Sequence, residues 1–408
     1  MSEEFKTDSK KVLVYLDSSD FSSIADNEGK DPDIGNIARE LEGLSRLSDV
    51  YFVFSGIHIS EMAPTESQYH NEAYARSRQL VRFCGKNALI PFDELLEREI
   101  DCLVNKTKPD FSVIAKDSRW FSWGDQIPTP WNGLDVKNLV DDELKKKGLD
   151  RNTRRQVKKQ YFQNNSYMKI FMDETFGALE DHGWKEAMLQ RYPITDELFE
   201  VILAYFRGQV REVVAFEKFL DCIGNPLVLA RWFESHADAL SPLVRLVREP
   251  GEKFLSVIGS EIDQLKRIYN EAKDLGVEKS IPTQRNHWDK LANQTINRVV
   301  SVLLKKKGIC LEYEISDIER SCPGLTVFIR TAYSSLHGSV GENRRKIKSS
   351  DMGDFLHATY APYMTIFRAD SSMAQHVERF SVKYGTKVVS KLKLLPNEIN
   401  AALGSGQS

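Results

Sequence analysis

The sequence predicts an α/β protein in which a parallel sheet flanked by helices is interrupted by a long, all-helical segment. Short apolar runs alternate with helical patterns in the N-terminal part of the chain, and the same alternation returns near the C-terminus. Between these two blocks, apolar residues recur at helical spacing alone. Because the N-terminal strands are too few for a sheet of ordinary size, we expect the C-terminal strands to complete a sheet of about five strands.

The N-terminal block contains three apolar runs that are typical of buried strands. They are KVLVYL from Lys11 to Leu16, YFVFS from Tyr51 to Ser55, and ALIPF from Ala88 to Phe92. The stretches 33–47 and 57–83 have apolar residues at helical spacing. Strands and helices that alternate in this way indicate parallel strands joined by crossover helices.

The middle of the chain shows no strand pattern, and its clearest helical patterns run over 198–205, 254–268 and 288–303. The C-terminal block alternates again, with predicted helices over 325–336, from 351 and over 373–384, and predicted strands over 364–367 and 387–389. We therefore divide the chain into an N-terminal part of the sheet domain at 1–105, a helical insertion at 106–324, and a C-terminal part with its tail at 325–408.

Composition and charge narrow the classes of function. The formal net charge is −3, so any binding of nucleic acid must depend on local basic patches. The five cysteines form no CxxC pair, which argues against a disulfide framework or a zinc site and favours a cytoplasmic protein. No apolar run has the length of a membrane span, and the polar N-terminus, which carries acidic residues, does not resemble a signal peptide.

The signature motifs of several enzyme classes are absent from this sequence. There is no GxxxxGK[ST] phosphate loop, no GxSxG nucleophile elbow and no HExxH zinc motif. The LDSSD segment after the first strand also lacks the aspartate, two positions after Asp17, that a haloacid-dehalogenase-type phosphatase needs. These absences leave the acidic residues as the strongest candidates for chemistry.

Four acidic residues occupy matching positions in the predicted fold, namely Asp17, Glu61, Asp354 and Asp370. Two of them follow predicted strands and two lie near the starts of predicted helices. Ligands bind outside the carboxyl ends of parallel strands, so these carboxylates should converge at one edge of the sheet. Crowded carboxylates repel one another unless a cation binds, and Mg²⁺ or Mn²⁺ prefers oxygen ligands. Such an ion polarises a phosphate and activates water for in-line attack.

Each acid also has an ordinary structural explanation. Asp17 is suited to cap the following helix, a role for which the aspartate three positions later competes, and Asp370 is suited to a turn before its helix. Glu61 would be a favourable charge near a helix N-terminus. Asp351 and Asp354 fit a capping box with Asp351 as the cap. The ordered set, rather than any single residue, favours the metal site.

The segments that carry these acids resemble the sequence blocks of PIN-domain nucleases. KVLVYLDSSDFSSIAD resembles the family's first strand, where an aspartate ends an apolar strand and a Ser or Thr follows. YFVFSGIHISEM resembles the second strand and the helix that supplies the family's glutamate. DFLHATYAPYMTIFRADSSM resembles the third block, and KVVSKLKLLPNEI resembles the closing strand. The resemblance covers roughly residues 10–105 and 325–396.

The resemblance implies a PIN-like sheet and a metal-dependent endoribonuclease that hydrolyses RNA phosphodiester bonds. The catalytic and metal-binding roles of the family would fall on Asp17, Glu61, Asp354 and Asp370. Ser18 would be the hydroxyl that supports the first aspartate, and Asp351 competes with Asp354 as a ligand. Mg²⁺ or Mn²⁺ would be the cofactor, with water as the nucleophile.

RNA is therefore the expected partner, in single-stranded form because a strand must lie in a narrow groove above the acids. A basic run just before the helix of Asp354 would contact its phosphates; its members are Arg344, Arg345, Lys346 and Lys348. The helical insertion would gate the groove, bind RNA or engage a protein partner or inhibitor. No histidine is assigned a catalytic role, and His58, His337 and His357 are interpreted as structural residues.

Two other functions stay open on the sequence alone. A non-catalytic PIN-like module that binds RNA or protein would show no dependence on metal and little effect from removal of the acids. A structure-selective DNA nuclease would use the same acids, which do not distinguish DNA from RNA. Metal-dependent cleavage of mixed RNA and DNA substrates separates the three functions.

Overall fold

The fold is described from a computed structural model of the chain. It describes residues 11–64, 66–115, 119–121, 144–145, 148–156, 193–206, 209–235, 267, 271, 274–275, 285–340 and 351–404. The chain divides into two compact units. One comprises Met1–Trp120 and Asp238–Ser408, and the other comprises Phe121–Ala237.

A four-stranded, all-parallel sheet forms the centre of the first unit. Its strands are β1 Val12–Tyr15, β2 Val50–Val53, β3 Ile366–Arg368 and β4 Lys387–Val389. Two strands come from each end of the chain, so the C-terminal strands complete the sheet as predicted. The α/β class and the parallel sheet are thereby confirmed.

The strand order is β2-β1-β3-β4, which makes β1 and β3 the central pair. In the registers of this sheet, Tyr15 pairs with Val53 of β2 and Phe367 of β3. The chain steps outward from β1 to β2 on one side and from β3 to β4 on the other. The order therefore reverses between β1 and β3, and ligands in open α/β sheets bind at such a reversal, outside the carboxyl ends of the strands. We call the carboxyl ends of β1 and β3 the switch-point edge.

The predicted strand at Ala88–Phe92 is wrong in extent. Ala88 makes one parallel bridge with Phe54, and Leu89 makes one antiparallel bridge with Ile114. Pro91 is the N-cap of the helix that begins at Phe92, so the extended segment is too short to form a ladder. This segment extends the sheet beyond β2 by single bridges rather than by a fifth strand.

Helices surround the sheet in the first unit. Those of the N-terminal part are α1 Ser18–Asn27, α2 Pro32–Ser45, α3 Gly56–Met62, α4 His70–Cys84 and α5 Phe92–Val104. The second unit contains α6 Asp196–Phe206, α7 Glu212–Ile223 and α8 Pro226–Ser235. The first unit resumes with α9 Arg285–Lys306, α10 Ile315–Ser321, α11 Pro323–Val340, α12 Asp351–Ala358, α13 Ser371–Ser381 and α14 Leu395–Gly404. Across the described ranges, no helix has both the length and the apolar character required to cross a membrane.

Helix α9 lies inside the predicted insertion but packs within the sheet-containing unit. Its buried residues recur every four positions, at Ala292, Ile296, Val300 and Leu304, which gives the helix one apolar face. That face shares a core with Leu96, Ile100 and Leu103 of α5 and with residues of α10 and α11. The boundaries predicted at residues 105 and 325 stay a prediction. Within the described part of 137–307, the structure has helices and no named strand.

Glu99 of α5 is a fully buried carboxylate at the N-terminus of α11. It accepts hydrogen bonds from the backbone N–H groups of Gly324 (2.5 Å) and Leu325 (3.0 Å) and from the Tyr363 hydroxyl (2.5 Å). A Cβ at Gly324 would lie 2.7 Å from both Glu99 Oε1 and the Thr359 carbonyl oxygen, so this close approach requires glycine. Burial raises the pKa of Glu99 to about 7, although its three donors oppose that shift.

We expect Glu99 to make the stability of the fold depend on pH. Its pKa is higher in the folded than in the unfolded chain, so folding is favoured while the group is protonated. This contribution to the free energy of unfolding should decline as pH rises from about 4.5 to about 7, by on the order of 3 kcal/mol. Chemical denaturation across that range should therefore give a flatter pH profile for Glu99→Gln than for the parent chain.

The matched control is Glu94→Gln on the same helix, because Glu94 makes a half-exposed ion pair with Arg98. Exposed pairs contribute little to stability, so this variant should keep the parent profile. Superimposable profiles for Glu99→Gln and the parent would show that the Glu99 carboxyl is not the titrating group.

Candidate functional site

Two aspartates stand at the switch-point edge, one after each central strand. Asp17 follows β1 and is the N-cap of α1, where its Oδ1 accepts from the backbone N–H of Ser19 at 2.7 Å. Asp370 follows β3 and is the N-cap of α13, where its Oδ1 accepts from the backbone N–H of Met373 at 2.6 Å. Both aspartates therefore cap the helix that follows them, which was the ordinary explanation for Asp17, whereas a turn was expected for Asp370. A helix N-terminus also favours negative charge, so the caps hold two carboxylates at adjacent strand ends.

Glu61 comes to the same site from α3, and Asp354 from the first turn of α12. Gly353 shows how closely these two helices approach, because a Cβ there would lie 1.7 Å from Glu61 Oε1 and 2.9 Å from its carboxyl carbon. Any other residue at position 353 would have to displace the Glu61 carboxylate. Glycine thus lets Glu61 lie against the turn of α12 that carries Asp354.

Asp354 is the residue through which the four acids are linked electrostatically. Burial raises its pKa to about 8, and the negative charges of Asp17, Glu61 and Asp370 add to that rise. Burial and these three charges together favour the protonated form of the Asp354 carboxyl group. The four acidic residues singled out from the sequence are therefore close enough for three of them to act electrostatically on the fourth.

The described residues hold no group of three or more His, Cys, Asp or Glu side chains arranged to bind a metal ion. The expectation that the four carboxylates lie within a few ångströms of one shared point therefore stays a prediction. Asp351, the competing ligand, is buried and is the first residue of α12. It is thus part of the first helical turn rather than the capping residue before it.

His357 makes several polar contacts at this site, although no catalytic role was expected for it from the sequence. Its Nε2 lies 2.9 Å from Glu61 Oε2, and its Nδ1 lies 2.5 Å from the Tyr15 hydroxyl. The Tyr15 hydroxyl in turn lies 2.8 Å from Ser55 Oγ. We call these four residues, Ser55, Tyr15, His357 and Glu61, the His357 network. Tyr15 and Ser55 are completely buried, whereas a quarter of the Glu61 side chain is exposed.

The protonation of His357 follows from its partners. A carboxylate can only accept, so Nε2 carries the proton that is donated to Glu61. Burial lowers the pKa of His357, but the charge and hydrogen bond of Glu61, together with the charges of Asp17 and Asp354, raise it overall. Burial raises the pKa of Glu61, but the charge and hydrogen bond of His357, together with Ser18 and His58, lower it overall. The pair therefore favours an imidazolium next to a carboxylate.

His58, by contrast, has the structural role expected from the sequence. Its Nδ1 accepts from the backbone N–H of Ser55 at 3.1 Å, and its Nε2 donates to the Leu16 carbonyl at 2.9 Å. Burial lowers its pKa to about 3, and the neighbouring His357 lowers it further. A neutral His58 thus ties the end of β1 to the start of α3. His337 packs against the ring of Trp288, with 5.8 Å between the ring centroids.

Ser18 contacts the His357 network, and its expected support of Asp17 stays a prediction. Its Oγ lies 3.4 Å from His357 Nε2, and it also forms a hydrogen bond with Glu61 that lowers the pKa of that carboxyl group. Ser18 and Glu61 meet the same ring nitrogen, which donates to the carboxylate and cannot also accept the serine proton. The geometry therefore does not match a serine nucleophile activated by histidine. Ser18 supports Glu61 and His357 rather than a nucleophilic reaction.

A buried ion pair connects β3 to α1 next to the two aspartates. Arg368, the last residue of β3, lies 2.9 Å from Asp20 Oδ1 of α1, and both side chains are almost fully buried. Asp20 also accepts from the backbone N–H of Asp17 at 3.1 Å. Burial raises the pKa of Asp20 to about 7, and Arg368 opposes that rise. The pair links β3 to the helix that Asp17 caps, and so joins both sides of the switch-point edge.

The basic run predicted to contact phosphates lies outside the described residues. It comprises Arg344, Arg345, Lys346 and Lys348, and α12 begins shortly after it. The proposed contact between this run and RNA stays a prediction from the sequence.

Comparison of the chain with models of protein families, with curated proteins and with solved structures found no match. These comparisons identify no family, so the resemblance to PIN-domain nucleases rests on the sequence blocks alone. What the site does is therefore inferred from its own residues.

Proposed function

We propose that this chain is a PIN-like, divalent-metal-dependent endoribonuclease whose active site is the switch-point edge. One observation carries the proposal. Two aspartates follow the adjacent central strands, Asp17 after β1 and Asp370 after β3, and the charges of both act on Asp354. A parallel sheet uses this edge for ligands, and carboxylates gathered there are suited to a cation rather than to an apolar substrate.

The donor set fits Mg²⁺ or Mn²⁺, because these residues offer carboxylate oxygens, which hard divalent cations prefer. Asp17 and Asp354 would hold the main ion, Glu61 and Asp370 would complete or orient the site, and Asp351 is the alternative ligand to Asp354. When bound, the ion supplies charge stabilisation at the phosphate and a more acidic water. A nearby cation would favour the ionised form of Asp354, since it opposes both the burial and the neighbouring negative charges that raise the pKa of this group.

Single-stranded RNA is the proposed substrate. The preference for RNA over DNA is supported by the resemblance alone, because carboxylates and metal act on the phosphodiester that both polymers share. A single strand is proposed rather than a duplex because a strand that reaches the acids would have to lie in a narrow groove above them. The rival proposal is a non-catalytic module whose helical segment binds RNA or a protein partner. The third is a structure-selective DNA nuclease.

Cleavage of labelled single-stranded RNA, single-stranded DNA and branched DNA separates these proposals. We expect RNA cleavage with Mg²⁺ or Mn²⁺, none with EDTA, and recovery when the metal is restored. Preferential cleavage of the branched DNA would favour the DNA nuclease. Binding of RNA without cleavage of any substrate at saturating Mn²⁺ would favour the non-catalytic module and refute the proposed activity.

A further inference from the structure

The His357 network joins three elements that meet at the switch-point edge. Ser55 is the N-cap of α3, Tyr15 ends β1, and His357 lies on α12. The network begins at the N-cap of α3, crosses β1 and α12, and returns through His357 to Glu61 on α3. It therefore connects the two ends of the same short helix through the strand that Asp17 follows and the helix that carries Asp354.

The orientation of the Glu61 carboxylate is constrained from two sides. Gly353 lies against Oε1, where even a Cβ would overlap it, and His357 Nε2 donates to Oε2 at 2.9 Å. The imidazole is itself fixed, because Nδ1 lies 2.5 Å from the Tyr15 hydroxyl and the Tyr15 ring is completely buried. A side chain held at both ring nitrogens has one available orientation, and it transmits that orientation to its carboxylate partner.

We propose that His357 is a positioning residue that orients Glu61 for the metal site, and that Tyr15 and Ser55 fix the imidazole for this task. The consequence for metal binding rests on the proposed function. The alternative is that the network only stabilises the fold, as buried hydrogen bonds commonly do. The two roles differ in what happens to metal affinity when stability is held constant.

Two substitutions at His357 each keep one of its hydrogen bonds and remove the other. The amide of His357→Gln reaches the position of Nε2 and can still donate to Glu61. The shorter amide of His357→Asn ends near Nδ1 and keeps only the contact with Tyr15. We expect His357→Asn to weaken Mn²⁺ binding by roughly 10- to 100-fold and to lower kcat for RNA with little change in KM, with a much smaller loss for His357→Gln.

A pair of tyrosine variants supplies the matched control. Tyr15→Phe removes the hydroxyl that faces His357, whereas Tyr360→Phe removes an equally buried hydroxyl that donates to the Ile90 carbonyl at 2.9 Å. Thermal unfolding measures the stability cost of each change, because Tyr15→Phe leaves Ser55 and His357 without this hydroxyl and Tyr360→Phe leaves the Ile90 carbonyl without its donor. We expect Mn²⁺ affinity to fall roughly tenfold in Tyr15→Phe and to stay at the parent value in Tyr360→Phe.

Calorimetric Mn²⁺ titration of the full chain decides between the roles. Parent-like affinity in both His357→Asn and Tyr15→Phe would overturn the positioning role while leaving the proposed nuclease intact. If His357→Asn does not fold, the comparison of the two tyrosine variants carries the test. A parent chain that neither binds Mn²⁺ nor cleaves RNA would overturn the proposed function, and with it the role of His357 in metal binding.

Discussion

Asp17→Asn should lower metal-dependent RNA cleavage by at least about 100-fold while leaving the fold almost as stable as the parent. The substitution removes the negative charge at the end of β1 but keeps a side-chain oxygen for the Ser19 N–H, and Asn is as good an N-cap as Asp. The free energy of unfolding should change by less than about 1 kcal/mol. Initial cleavage rates at saturating Mn²⁺, together with urea denaturation, measure the two effects separately.

Asp31→Asn is the matched control for that variant. Asp31 is the N-cap of α2 and accepts from the Asp33 N–H at 2.9 Å, which reproduces the capping geometry of Asp17. Its activity should equal that of the parent. Equal activity in Asp17→Asn as well would mean that Asp17 acts only as a cap, and the metal site would have to be abandoned.

Arg368→Met should destabilise the fold by about 3–5 kcal/mol. This is the largest effect on stability that we expect from a single substitution. The substitution leaves Asp20 buried without its ionic partner. Protonation relieves an unpaired buried carboxylate, and the pKa of Asp20 is already raised to about 7. The loss should therefore be larger at about pH 8 than at about pH 5, because the carboxyl group is charged only at the higher pH. Urea denaturation at both pH values measures this difference.

Arg379→Met tests whether the effect depends on burial. Arg379 pairs with Asp289 of α9, but the carboxylate side chain is nearly half exposed. Exposed pairs contribute less than about 1 kcal/mol, so this variant should unfold much like the parent. Adding Asp20→Asn to Arg368→Met should recover part of the lost stability. A loss in Arg368→Met no larger than that in Arg379→Met would contradict the buried pair.

The sheet and the positions of its acids could be predicted because they depend on local patterns. An apolar run followed by an acid indicates a strand end, and this pattern correctly located Asp17 after β1 and Asp370 after β3. The segment at Ala88–Phe92 has the same apolar character but forms only bridges. Its composition does not distinguish a short ladder from a single bridge, and the helix that starts after Pro91 decides the outcome.

The His357 network could not be predicted from local patterns. Tyr15 and His357 are 342 positions apart, and the spacing of each residue within its own element carries no information about the other. His357 follows Asp354 by three positions in the sequence, and the two residues therefore share a face of α12. A search of the sequence for polar residues one helical turn away from each candidate acid would have found His357.

Diffraction from crystals soaked in Mn²⁺, recorded for the anomalous signal of manganese, would locate the metal ion. We expect one strong peak at the switch-point edge, with carboxylate oxygens of Asp17 and Asp354 at about 2.0–2.6 Å and Glu61 or Asp370 turned toward it. The same soak of Asp17→Asn crystals should show a much weaker peak. Saturating Mn²⁺ that leaves this edge without a peak in the parent crystals would contradict the metal site and the nuclease built on it.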